Sequence, residues 1–185
     1  MIRHIYDITS IQTGVFAKPA DTGDIVYLQA KHFDENGQLA AKLHADLSTS
    51  GISNKHILKY GDILFAAKGT KNFATAYEKH NLPAVASTSF FVLRLTDKNV
   101  LPEYLAWFLN HPNTLTLLKA QAIGTSIPSI SKQVLESLEI KIPNVETQQI
   151  ILKIANLRKQ EKKLNQQIEF LTDKKIQQQI INAIK

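Results

Sequence analysis

Residues 69–79 (GTKNFATAYEK) hold the side chains best suited to chemistry on a nucleic acid. Lys71, Asn72 and Thr75 carry donors and acceptors that match base edges and phosphates. In the major groove an asparagine pairs bidentately with adenine, and a lysine reaches guanine O6 and N7. Lys68, Lys71 and Lys79 can hold phosphates, which positions a protein without reading sequence. Phe73 and Tyr77 read as exposed aromatics. A solvated surface hairpin uses the same residue types, so the segment by itself leaves both readings open. Residues 29–32, with Gln29 and Lys31 as donors, are the next segment whose residue types could serve in this way. Residues 124–129 form a polar turn in which Gly124 presents an amide without a side chain and Thr125 and Ser126 add hydroxyls. Such a turn can approach a phosphate closely. It also reads as a plain helix-entry loop, with Ser131 as N-cap of a helix at residues 132–137.

Catalytic constellations are scarce. There is no glycine-rich phosphate loop and no nucleophile elbow, and the six histidines (His4, His32, His44, His56, His80, His111) lack the i,i+4 spacing of helical metal ligands. Glu139-Ile140-Lys141 with the distant Asp62 is the one acidic pair plus lysine that a Mg²⁺-dependent nuclease would use. Alternation along a short strand yields the same Glu-x-Lys on a solvent face. Without cysteine the chain can form neither a disulfide nor a thiolate metal site, which fits a reducing cytoplasm. No apolar run approaches a membrane span, and the first residues (MIRHIYDITSIQ) lack a signal peptide's apolar core.

Charge points the same way but unevenly. Of the formal +6, residues 150–185 carry +5 and residues 1–149 only +1. Most of the excess therefore lies on a solvated helical face. Within the globule the local basic cluster is Lys55, Lys59, Lys68, Lys71 and Lys79 against Asp62 and Glu78, with His56 and His80 beside it.

The elements that must position these groups read as mixed α and β. Residues 24–30 (DIVYLQA) alternate like a strand, with Ile25, Tyr27 and Gln29 on one face and Val26, Leu28 and Ala30 on the other. Asn36-Gly37 and Gly61-Asp62 mark turns. Residues 63–67 form a short apolar run, expected as a buried strand, and residues 87–95 (STSFFVLRL) form the clearest strand. Residues 9–16 are indeterminate, and 39–47 read as a strand or a helix. Pro102 and Pro112 each open a helix, ending near Asn110 and Ala122. A short strand follows at residues 138–142.

Beyond Pro143 the chain has neither Gly nor Pro for roughly forty residues and reads as one long helix. Ile150, Ile154, Leu157, Leu164, Ile168 and Leu171 fall on alternating 4- and 3-residue steps when Glu161 is counted as a polar seam member. That is a coiled-coil stripe of about three heptads. Past Leu171 the apolar set moves to Ile176, Ile180 and Ile184, a slip that changes winding or partner.

Residues 124–154 (GTSIPSISKQVLESLEIKIPNVETQQIILKI) resemble the segment that closes a target-recognition domain in the specificity subunits of type I restriction–modification systems. The resembling elements are the Gly124-Thr125 turn, Ile130-Ser131 at the helix start, the strand at 138–142, Pro143, and residues 146–149 leading into a spacer helix. Upstream, residues 58–69 (LKYGDILFAAKG) and 101–109 (LPEYLAWFL) are similar to two further stretches of that family. The likeness covers about residues 58–149 with the helix following; the first fifty residues match loosely.

The resemblance implies an α+β fold. A target-recognition domain with a small, mixed, twisted β-sheet and packed helices would occupy residues 1–143. A long coiled-coil helix for spacing and dimerisation would occupy 144–185. It implies a non-catalytic subunit that reads double-stranded DNA for a modification (methyltransferase) subunit and a restriction subunit. Those partners would hold S-adenosylmethionine, ATP and Mg²⁺, and this chain no cofactor. Family members usually carry two recognition domains and two helices. This chain has room for one of each, so a half-subunit that dimerises through its helix is expected. The alternatives are a coiled-coil interaction protein without a DNA role and the nuclease.

Overall fold

The structure, a computed structural model, describes residues 1–34, 37–39, 43–69, 71–78, 83–124 and 127–184. In chain order the elements are β1 (Ile2–His4), α1 (Ile5–Ile8), β2 (Thr9–Thr13), β3 (Val26–Leu28), β4 (Ile63–Ala66), β5 (Ala74–Ala76), β6 (Ala84–Ala86) and β7 (Phe90–Leu95). Then come α2 (Pro102–Asn110), α3 (Pro112–Ala120), α4 (Lys132–Glu136), β8 (Glu139–Lys141) and α5 (Val145–Ile184). The chain divides into two compact units, Met1–Val145 and Glu146–Lys185.

The first unit is built on a four-stranded antiparallel sheet in the order β2–β7–β4–β5. Beside it lies a parallel pair, β3 with β6, and β1 pairs antiparallel with β8. Successive strand residues point to opposite faces, and the sequence exploits this. Leu64, Ala66, Phe90 and Val92 pack with Val26, Leu28, Ala84 and Ala86 into the core between the sheet and the β3–β6 pair. Ile25, Tyr27 and Val85 take the other face of that pair and pack with Leu47. The two faces expected for residues 24–30 hold over residues 25–28, where both are buried; the strand ends at Leu28, and half-buried Gln29 and Ala30 lead into a 3-10 turn at Ala30–His32. Ile63, Phe65 and Leu93 are fully buried on the sheet's second side, where α2 packs on β4 and β5.

Local chemistry fixes the joints. Gly37 and Gly61 have φ of +72° and +85°, the left-handed region that glycine enters without a side-chain clash. Gly37 closes a hairpin in which Phe33 pairs with Leu39; Asn36 lies outside the described residues. Pro102 and Pro112 open α2 and α3, and the Ser131 Oγ accepts from Val134 N to cap α4. Asn110 exchanges two hydrogen bonds with the backbone of Ala74, 2.8 and 2.7 Å, so a helix-end amide occupies the open edge of β5.

Several boundaries moved. Residues 9–13, indeterminate in sequence, are the edge strand β2, since β7 supplies their hydrogen bonds. The described residues of 39–47 are neither strand nor helix and make only isolated bridges at Leu39 and Leu47. The expected helix at 112–122 stops at Ala120.

The second unit is a single helix. At 1.5 Å per residue, its 40 residues span about 60 Å. Ile150, Ile154, Leu157, Leu164, Ile168 and Leu171 are all exposed, between 53% and 62% of their surface. An apolar stripe this open loses the burial that stabilises most protein helices.

Candidate nucleic-acid interface

Antiparallel order decides which loops meet. The end of β2, the start of β7, the end of β4 and the start of β5 all lie at one end of the sheet, because Thr13 pairs with Phe91 and Ala66 with Phe90. Residues 87–90, leading into β7, form the hub of this end. Gly14 N donates to Phe90 O at 3.0 Å and Val15 N to Ala86 O at 2.8 Å. Ser87 N donates to Leu28 O at 2.8 Å, and Ala67 N to Ser89 O at 3.0 Å. The loop after β4 is in turn stitched to the turn before α4: Gly69 N donates to Pro128 O at 2.9 Å, Ile130 N donates to Ala67 O at 3.0 Å, and Lys68 bridges Ser129. Segments distant in sequence, after β2, β3, β4 and α3, are thus side by side.

Three of the expected DNA-contacting segments converge here. Lys68 and Lys71 are exposed beyond the end of β4. Gly124, with φ +109°, sits in the turn whose ends are tied by paired hydrogen bonds between Ile123 and Ser129. A side chain at Gly124 would stand 2.8 Å from Ile127 O, so glycine is required. Gln29 and Lys31 follow β3, and Phe33 just beyond them packs on Phe73 and Phe90 at ring separations of 5.4 and 5.6 Å. Gln29 N donates to His32 Nδ1 at 3.3 Å. Burial, then the charge of Lys31, holds the His32 pKa below the usual imidazole value. Lys79, Thr125 and Ser126 lie outside the described residues.

Other expectations need correction. Phe73 and Tyr77 are only 4% and 6% exposed and belong to the core, not to an aromatic reading surface. Residues 74–76 form β5, whose alternation the flanking polar residues concealed. Burial, then the Asp62 carboxylate, pushes the Tyr77 phenol above its ordinary pKa. Thr75 and Tyr77 line a cavity of about 200 Å³ with Leu28, Phe33 and Gln38. Asn72 Nδ2 donates to Ala66 O at 2.9 Å and so braces the β4–β5 hairpin. The basic cluster also splits, because Lys59 precedes β4 whereas Lys68 and Lys71 follow it.

Known proteins share both the sequence pattern and the fold. The family model for the type I restriction modification DNA specificity domain matches residues 2–170. The chain belongs to this family. A curated relative, the type I restriction enzyme HindI specificity subunit of Haemophilus influenzae, is 33% identical over 117 residues, 62% of this chain and 26% of that protein. The crystal structure of an S subunit from M. genitalium superimposes with a TM-score of 0.57 at 17% identity, covering 85% of this chain and 38% of that one. That of the HsdS subunit from Thermoanaerobacter tengcongensis gives 0.61 at 15% identity, covering 87% and 37%. The chain thus spans well under half the length of each, and the two structures speak for the fold.

Within this specificity-domain fold, the two acidic residues that suggested a nuclease lie in different settings, Asp62 buried before β4 and Glu139 on the exposed face of β8. Asp62 is 1% exposed and accepts from Arg94 Nε at 2.7 Å, Arg94 Nη2 at 2.6 Å and Lys59 N at 2.8 Å. Its hydrogen bond, more than its charge, raises the Arg94 pKa. Glu139 and Lys141 face solvent while Ile140 between them is fully buried, the alternation of a strand with one covered side. Sequence reasoning missed Lys119, which lines a hollow of about 250 Å³ with Gly69, Asn72 and Pro128. It also missed the hub at 87–90 and two exposed isoleucines of the specificity domain, Ile123 and Ile127, at 73% and 66%. The hub gave no signal because its role is backbone pairing.

Proposed function

We propose that this chain is a non-catalytic DNA sequence-specificity subunit of a type I restriction–modification system. It reads one half-site of duplex DNA with residues 1–143 and docks methyltransferase and restriction subunits, which hold S-adenosylmethionine, ATP and Mg²⁺. Residues 144–185 serve as spacer and dimerisation helix. The observation that carries the DNA reading is the gathering of Lys31, Lys68, Lys71 and the Gly124 turn at one end of one sheet. Lysines on phosphates supply most of the affinity, and the groups between them meet base edges. Helix α5 supports the dimer, since its exposed stripe fits a second copy of itself.

Titrating labelled duplex with the full chain at several salt concentrations tests this. Binding should weaken linearly in log–log form as phosphate contacts release counterions. Plasmid incubated with Mg²⁺, ATP and S-adenosylmethionine should be neither nicked nor methylated. A chain that shows no salt-dependent binding fits a coiled-coil interaction protein instead, and nicking lost in Glu139→Ala would favour the nuclease.

A further inference from the structure

Phe16 is 81% exposed, more than any other aromatic side chain among the described residues. An aromatic ring this open forgoes the burial that usually stabilises it, and its backbone is nevertheless fixed. Val15 N donates to Ala86 O at 2.8 Å, and Val15 O accepts from the Tyr27 hydroxyl at 3.0 Å. Ala17 N donates to the same hydroxyl at 3.3 Å. Val15 and Ala17 tuck their side chains against Ile25, Tyr27 and Val85. Alternation along an extended chain then sends Phe16 outward. Gly14 permits the arrangement, because a Cβ there would lie 2.1 Å from Ser87 O. The ring is therefore displayed by a braced backbone.

Its place is the sheet end described above. Phe16 lies three residues past β2, beside the hub at 87–90, where Lys31, Lys68 and Lys71 are also exposed. Lys18 is exposed two residues on. A cationic surrounding suits a polyanion, and an apolar wedge among phosphate-binding lysines is a device for entering a base stack. We propose that Phe16 inserts into duplex DNA, stacks on a base and parts it from its neighbour, so that the site is read partly through how readily that step opens. This rests on the DNA-binding reading above.

The wild-type full chain first selects duplexes from a random-sequence pool. 2-Aminopurine then replaces each adenine of the selected site in turn, and its fluorescence rises where stacking is lost. With wild type, a position should brighten on binding. Phe16→Ala should bind about tenfold more weakly, as expected for one lost base–aromatic stack, and should abolish the brightening while leaving the salt slope unchanged. Phe16→Trp should restore both. No brightening with wild type, or brightening retained in Phe16→Ala, overturns the wedge and leaves the DNA reading standing. A wild-type chain that enriches no duplex at low salt overturns both.

Discussion

Arg94 grips Asp62 with two N–H donors, and Asp62 also holds the Lys59 amide before β4. Removing one partner of a largely desolvated pair leaves the other charge poorly paired. Asp62→Ala should therefore cost about 3 kcal/mol of unfolding free energy in urea, discounted from the fully buried case because Arg94 keeps 28% of its side-chain surface in water. Tyr77 belongs to the same class. Tyr77→Ala should lose about 3 kcal/mol of stability, the low end for a large aromatic removed from a core. Its phenol adds a pH signature. The folded pKa is raised above the unfolded one, so the associated stability is complete below the ordinary phenol pKa and is lost as pH rises through the folded value. Tyr77→Phe should move the alkaline limb of a denaturation-versus-pH curve to higher pH. Lys68 and Lys71, exposed at the loop after β4, should behave oppositely. Lys68→Ala should leave stability unchanged, weaken DNA binding evenly across sequences, and lower the salt slope by about 1.

At the level of elements, the candidate interface depends on how closely the segment after β2 lies on the hub. Gly14 has no room for a methyl group, because Ser87 O, Ala86 O and Ser87 C would all fall within 2.6 Å of its carbon. Gly14→Ala should separate these segments, and we expect lower thermal stability together with weaker DNA binding, measurable by calorimetry and anisotropy. Helix α5 makes a different demand. Its stripe from Ile150 to Leu171 is exposed, and the dimer proposal buries it against the same helix of a second copy. Glutamate at Leu157, Leu164 and Ile168 should convert a dimer to a monomer in light scattering, because a seam that already holds Glu161 would then bury four carboxylates in a row from each helix with no counter-charge. A wild type that is already monomeric at tens of micromolar would end the dimer proposal.

For the whole molecule, the dimer proposal carries a geometric consequence. Two copies related by a two-fold axis present the same reading surface in opposite orientations, so half-sites should be inverted repeats around unread base pairs. A helix of about 60 Å exceeds the 34–36 Å of one duplex turn, which leaves room for such a spacer. Sequencing the duplexes selected by the full chain would reveal the symmetry. A single asymmetric motif would count against it.

The sequence by itself determined the long helix, through a Gly- and Pro-free run with heptad spacing, and the family, through short motifs in a fixed order. It also determined β4, the opening prolines of α2 and α3, the Ser131 cap, and β7 apart from its start, which is Phe90 and not residue 87; each rests on neighbours within a few residues. It did not determine that Phe73 and Tyr77 turn inward. A three-residue strand flanked by lysines has too short a period to separate its faces, and only packing against Phe33, Phe90 and Leu64 decides them. Nor could local pattern reveal β2, whose polar residues become a strand only because β7 offers hydrogen bonds. The joining of residues 14–16, 28–31, 67–69 and 127–130 at one end of a sheet is non-local. Strand order and backbone hydrogen bonding around residues 87–90 decided it, and backbone amides leave no trace in side-chain identity.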